Sequence, residues 1–218
     1  MPDDLFSSDE LTQLKEITEL YSITKTLILY SEEINNLESF VPPINEIKDS
    51  HDHLMRVLSV KFGLNEGMPT DYTKKNIDKV FSHLYRAAFE SLDYIRICQK
   101  DAISEKLRDV SNDALVGVFP EYYNIIRPRL EVLIEQIPTY KKDKDIGKPD
   151  LEALRKYNST ILEIKEHIKV IESKRASLID FDVRRRAEKT ADDRKMFIYM
   201  TISGVIGAVI GALIVGFL

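Results

Sequence analysis

Apolar positions recur at three- and four-residue spacing along almost the whole chain, and no stretch alternates strictly between hairpin turns. The pattern predicts helices and no sheet. Ser7-Ser8-Asp9-Glu10 fits a capping box that opens a first helix over about 8–36. Pro42 and Pro43 break the chain, and a second helix over 43–62 sets Ile44, Ile47, Leu54 and Leu58 on one face. Gly63, Gly67, Pro69 and Thr70 mark a loop. The third helix, over 71–100, buries Ile77, Val80, Phe81, Leu84, Ala88, Leu92 and Ile95. A further helical stretch over 101–115 ends near Gly117 and Pro120, and the next helix, over 120–137, is one that Pro128 kinks or divides. The segment 138–149 reads as a solvated linker, with Pro149 suited to the first turn of the helix after it.

From 150 to 195 there is neither proline nor glycine. Leu154, Tyr157, Ile161, Ile164, Ile168, Ile171 and Leu178 form a stripe at 3-4 spacing. Two uses of it stand side by side: packing on the preceding helices, or a coiled coil with another copy. Beyond Leu178 charges take over, as in a polar stalk. The organisation is thus an all-α bundle over 1–140, a linker over 141–149, an amphipathic stalk over 150–195 and an apolar segment over 196–218.

That last segment has 23 residues and no charge. As a helix it would reach roughly 35 Å, enough for a hydrocarbon core of about 30 Å. The start of the chain, MPDDLFSSDEL, lacks the basic stretch and apolar run of a signal peptide, so the expectation is a tail-anchored, single-pass topology. Arg184, Arg185, Arg186, Lys189, Arg194 and Lys195 precede the span. Basic flanks stay on the cytoplasmic side and attract anionic lipid, which places the N-terminal domain in the cytoplasm, at the inner membrane if the cell is bacterial. Within the span Ser203, Gly204, Gly207, Ala208, Gly211 and Ala212 gather small residues on one side. Such a side lets helices approach closely and predicts a homo-oligomer, although glycine is also common in membrane helices that only anchor.

Composition narrows the chemistry. There are 31 Lys+Arg against 36 Asp+Glu, a net charge of −5, which argues against a general nucleic-acid coat while leaving room for a local basic site. The single cysteine, Cys98, excludes an internal disulfide and a Cys-rich zinc site. There is no Walker A pattern, no G-x-G-x-x-G, no H-E-x-x-H and no G-x-S-x-G, and no acidic cluster has metal-ligand spacing. Helical nucleases of the HEPN type place a His four to six residues after an Arg. None of His51, His53, His83 and His167 meets that spacing, so a HEPN-like scaffold would lack its catalysis. No enzyme, no catalytic residue, no metal and no resident cofactor are expected.

One internal repeat bears on binding. At an offset of 30 residues, Ile47…His53-Leu54-Met55-Arg56-Val57 matches Ile77…His83-Leu84-Tyr85-Arg86-Ala87. In both copies His and Arg share the polar face, where they can grip a phosphate or carboxylate. Side-by-side helices would join His53, Arg56, His83 and Arg86 into one anion pocket, with Arg96 and Tyr94 nearby. The same residues also suit ion pairs, Arg86 with Glu90 and Arg56 with Asp49 or Asp52. His51 aligns with Phe81 on the apolar face and reads as a core histidine.

A helical cytosolic domain, a stalk and one glycine-rich span, Met196 to Leu218, together resemble the small single-span membrane effectors of bacterial anti-phage defence systems, of the CBASS and Hailong types. The resemblance is one of architecture and covers the whole chain. It implies a nucleotide or oligonucleotide regulator that sets the state of an oligomeric pore or ion channel. The opposing class is a passive tail-anchored scaffold that recruits a partner protein, encoded nearby, to the membrane. The expected partners are accordingly the lipid bilayer, further copies of the chain, and either a nucleotide-type ligand or that protein.

Overall fold

The computed structural model describes residues 5–142 and 151–216, and the side chains of 5–142 and 151–204. Six α-helices follow one another: α1 Ser8–Ile34, α2 Val41–Lys61, α3 Tyr72–Leu107, α4 Asn112–Val118, α5 Arg127–Lys141 and α6 Leu151–Gly216. A π-helical turn, Tyr122–Ile126, leads into α5. Among the described residues there is no strand, and the chain is all-α.

The capping box forms as expected: Ser7 Oγ accepts from the Glu10 N–H at 3.2 Å, and the Ser7 N–H donates to Glu10 Oε2 at 2.8 Å. Glu10 also pairs with Lys61 at 2.6 Å, so the start of α1 is tied to the end of α2. Otherwise α1 and α2 each pack mainly on α3 rather than on one another. Leu20, Leu27, Val57, Ile77, Leu84 and Phe89 form a first core with Leu154, Tyr157 and Ile161. A second core joins Leu115, Phe119, Leu130 and Leu133 to Ile164, Ile171 and Leu178. Both α3 and α6 run through the two cores and hold them in one piece. Each fully buried Leu, Ile or Phe contributes about 1.5–3 kcal/mol relative to exposure.

Several boundaries move, each for a packing reason. The third helix does not stop at 100 but continues to Leu107, because Ile103 and Leu107 extend its apolar side onto the second core. The stretch to 115 is therefore split, and Ser111 caps the separate α4 by accepting from the Ala114 N–H at 3.0 Å. Pro128 divides its helix as one alternative had it. It sits in the first turn of α5, where a missing N–H costs little, directly after the π turn. Helix α5 passes through Pro138, a residue whose sequence context reads as linker. Buried Ile137, the Tyr140 ring 6.3 Å from that of Tyr157, and the Lys141–Asp93 ion pair at 2.8 Å hold this last turn despite the lost hydrogen bond. What remains of the linker, 143–149, lies outside the described residues, as does residue 150.

The stripe on α6 is spent inside the chain. Leu154, Tyr157, Ile161, Ile164, Ile171 and Leu178 are buried against α3, α4 and α5, so of its two possible uses the structure has intramolecular packing. The part of the stalk up to Asp182 is thus a member of the bundle. From Val183 to Gly204 every residue of α6 is exposed. The backbone stays helical to Gly216, while the side chains of Gly207, Ala208, Gly211 and Ala212 lie outside the described residues. Among the described residues no helix is long and apolar enough to cross a membrane.

Candidate functional site

The α2–α3 hairpin decides what the His/Arg repeat can do. Ser50 Oγ donates to the Val80 carbonyl at 3.3 Å, His53 faces Asn76 and Glu46 faces His83, which fixes an antiparallel register. Helical side chains lean toward their own N-terminus, so in an antiparallel pair His53 and His83 lean toward each other. Their rings stack with centroids 5.3 Å apart. The same register drives the two arginines apart: their Cα atoms sit roughly 20 Å from one another along the hairpin axis, at about 1.5 Å per residue.

Each basic side chain of the repeat already has an acceptor. His53 Nδ1 donates to Asn76 Oδ1 at 2.8 Å, and Asn76 Nδ2 donates to the Tyr72 carbonyl. His83 Nδ1 donates to Glu46 Oε2 at 2.7 Å, and Arg86 reaches the same oxygen at 3.2 Å. The Glu46 carboxylate therefore stands where an external anion would sit. Arg56 turns away and pairs with Asp52 at 2.6 Å on the surface. The repeat thus brings together His53, His83 and Arg86 and leaves out Arg56.

Arg96 and Tyr94 belong to other neighbourhoods further along α3. Tyr94 stacks flat on Phe40, with centroids 4.2 Å apart. Burial pushes its hydroxyl above the usual tyrosine value, and burial likewise pushes up the Cys98 thiol beside it. Arg96 lies beside Tyr157, whose hydroxyl donates to Asp93 at 2.9 Å while Asp93 also takes Lys141. Burial, then the Asp93 charge, raises the Tyr157 hydroxyl far above its ordinary value.

His51 is not a core histidine. It is exposed and faces a cavity of about 530 Å³ between α1 and α2. The cavity exists because those two helices lie on α3 without closing on each other. Ile17, Ile47, Leu54, Val80 and Leu84 make its apolar floor. Tyr21, Lys48 and His51 stand at its edge, and no acidic residue lines it. Sequence reasoning misses Lys48 and Tyr21 altogether. The available signal was the i, i+3 spacing of Lys48 and His51 on the flank of α2 opposite Glu46.

Where α6 leaves the bundle, Asp182 is buried and clamps the start of α4. It accepts from the Ser111 N–H at 2.8 Å and from Ser111 Oγ at 2.5 Å. Those two hydrogen bonds, helped by Arg186 and Arg185, hold its carboxyl below the usual aspartate range. Of the basic flank, Arg185 pairs with Asp113, Arg184 with Asp180, and Lys195 with Asp192 at 3.3 Å; Arg186, Lys189 and Arg194 point into solvent. No group of three or more His, Cys, Asp and Glu able to hold a metal occurs among the described residues. In comparison with known proteins, no family model, curated protein or solved structure matches the chain.

Proposed function

We propose that the chain is a membrane-anchored oligomeric effector, in which a cytoplasmic helical bundle controls a C-terminal span over 196–218 that forms or gates a pore, in the manner of anti-phage membrane effectors. The observation that supports this reading is the course of α6. One unbroken helix runs from the second core, through the basic stretch, into residues that present apolar side chains on every side. Met196, Phe197, Ile198, Tyr199 and Met200 are all exposed, Phe197 at 69%. A run of this kind on a lone helix is costly in water and favourable in lipid. Basic residues immediately before it suit the headgroup layer. The continuous helix would also carry a displacement of the bundle to the span. Small residues from Ser203 to Ala212 supply the close helix contact that an oligomeric pore needs.

Regulation by a nucleotide-type anion at His53, His83 and Arg86 belongs to the same proposal, and it requires the ligand to displace Glu46. The ligand must also bind one oligomer state better than the other to act as a switch. The test compares the full chain, a chain ending at Lys195, and the double variant Gly207→Leu/Gly211→Leu. The full chain should pellet with membranes, resist carbonate extraction, cross-link as oligomers and permeabilise vesicles. The truncated chain should stay in the supernatant. The double variant should remain in the membrane but lose cross-linking and leakage. Full solubility of the complete chain would defeat the proposal, and an anchored double variant that behaves like wild type in every assay would leave the passive scaffold.

A further inference from the structure

We propose that the cavity between α1 and α2 is a binding site for a single-chain alkyl carboxylate, with the chain along the apolar floor and the head at Lys48 and His51. This inference does not depend on whether 196–218 spans a membrane. At about 530 Å³ the cavity lies within the range of small-molecule sites, roughly 300–1,000 Å³. Its wall on α2 runs from Ile44 to Leu54, a length of roughly 15 Å at about 1.5 Å per residue. An α-helix with its side chains is about 10–12 Å across, too thick for a cleft of this volume, whereas an extended alkyl chain fits it. The floor is apolar except for buried Ser50, whose hydroxyl is already spent on the Val80 carbonyl, and Val80 and Leu84 are almost completely buried.

Charge selects the head group. Lys48 and His51 lie one helical turn apart at the edge, and neither has an ion-pair or hydrogen-bond partner among the described residues. Arg56, Lys61 and Arg86 of the same hairpin each have a carboxylate. With no acidic side chain in the lining, the cleft lacks the one group that Lys48 and His51 would otherwise bind. The ammonium of Lys48 and an imidazole N–H of His51 can both donate to a carboxylate. Tyr21, on the opposite wall and 45% exposed, offers a hydroxyl from across the opening.

The chain contains no tryptophan, which makes the test specific to the site. Tyr21→Trp places the sole indole at the cavity edge, and Tyr123→Trp places it at the second core as a control. The full chain is assembled into phosphatidylcholine nanodiscs, or kept in buffer if it does not enter them, so that anchoring is read separately. The probe is a dibrominated stearate. We expect saturable quenching of the indole at position 21 and none at position 123. Lys48→Glu/His51→Glu, and separately Ile44→Glu, should each weaken quenching at least tenfold. All three positions are exposed, so far-UV melting should stay unchanged. Competition by shorter alkyl carboxylates should strengthen about fourfold per methylene until the chain outruns the cleft. Absence of quenching at position 21 overturns the proposal. So does quenching that both variants leave intact, or quenching by brominated phosphatidylcholine in the disc without added stearate, which would make the occupant a bilayer lipid.

Discussion

From Leu151 to Asp182, helix α6 turns one stripe of side chains into two cores, whereas from Val183 to Gly204 the same helix buries no side chain and reaches back to the bundle only through exposed charge, Arg185 to Asp113. No proline or glycine separates the halves, and the backbone does not change at the border. What changes is the pattern: apolar residues at 3-4 spacing end at Leu178, a mixed-charge stretch comes next, and then residues apolar on all sides. Helix continuity here carries no information about burial; the side-chain period carries it. The border itself is a contact, the Asp182–Ser111 clamp, with Phe181 against Gly117.

The sharpest way to break this comparison is to make an apolar deletion in each half. Tyr157→Ala removes a fully buried ring between the Phe89 and Tyr140 rings and orphans the Asp93 hydrogen bond. It should cost about 3–5 kcal/mol in urea unfolding followed by circular dichroism. Ile198→Ala in the free half should change bundle stability by less than about 0.5 kcal/mol. Equal effects would mean that residues beyond 183 pack against something in solution.

The stripe is legible in the sequence because seven residues from Leu154 to Leu178 keep helical spacing, and only burial satisfies them. Its partner is not legible, since α3 and a second copy of the chain would accept the same face. The 30-residue repeat misleads for a related reason. A repeat brings equivalent positions together in parallel helices, and α2 and α3 are joined by a short loop that makes them antiparallel. The loop is visible in Gly63 and Gly67, both in the left-handed region at φ +70° and +76°, but its consequence for His53 and Arg56 needs the register. His51 misleads because apolar periodicity assumes a neighbour on that side, and α1 leaves a gap there. Pro138 within α5 depends on Asp93 and Tyr157, too distant in the chain for a local rule to see.

At the border, Asp182→Asn replaces a charged acceptor by a neutral one that can take only one of the two Ser111 donors well. The expected loss is about 1.5 kcal/mol at neutral pH. The sign with pH is fixed by the direction of the shift. A carboxyl held below its unfolded value contributes stability that is present above that value, near 3.9, and is lost as pH falls through the folded one. Melting curves of wild type and variant should therefore converge as pH drops below about 4. A gap that stays constant down to pH 2 would show that the carboxylate charge is not what the clamp uses.

Gly117 tests the other side of the same border with the opposite sign. It lies inside α4, and a Cβ there would meet the Phe181 ring at 3.5 Å, an ordinary van der Waals contact. Gly117→Ala should thus stabilise by about 0.5–1 kcal/mol through helix propensity, with added packing on α6. A destabilised variant would mean that the methyl group does not find ordinary contact with the Phe181 ring at this border.

The smallest expected effect on folding is in the free half, and it separates stability from surface chemistry. Lys195 pairs with Asp192 at 3.3 Å, with both side chains about seven-tenths exposed. Exposed pairs three residues apart on a helix contribute only about 0.2–0.5 kcal/mol, and salt screens them. Lys195→Ala should leave the melting temperature of the bundle within error. The same substitution removes one positive charge next to the apolar stretch. On the proposed reading, each such charge is worth about 1 kcal/mol at an anionic lipid surface, roughly a fivefold change in partition. Sedimentation with vesicles of mixed phosphatidylcholine and phosphatidylglycerol should show that loss, and added salt should erase it. An unchanged melt with unchanged partition would mean that Lys195 faces neither protein nor lipid. An altered melt would mean that the free half of α6 is coupled to the bundle after all, and the contrast between its two halves would fall.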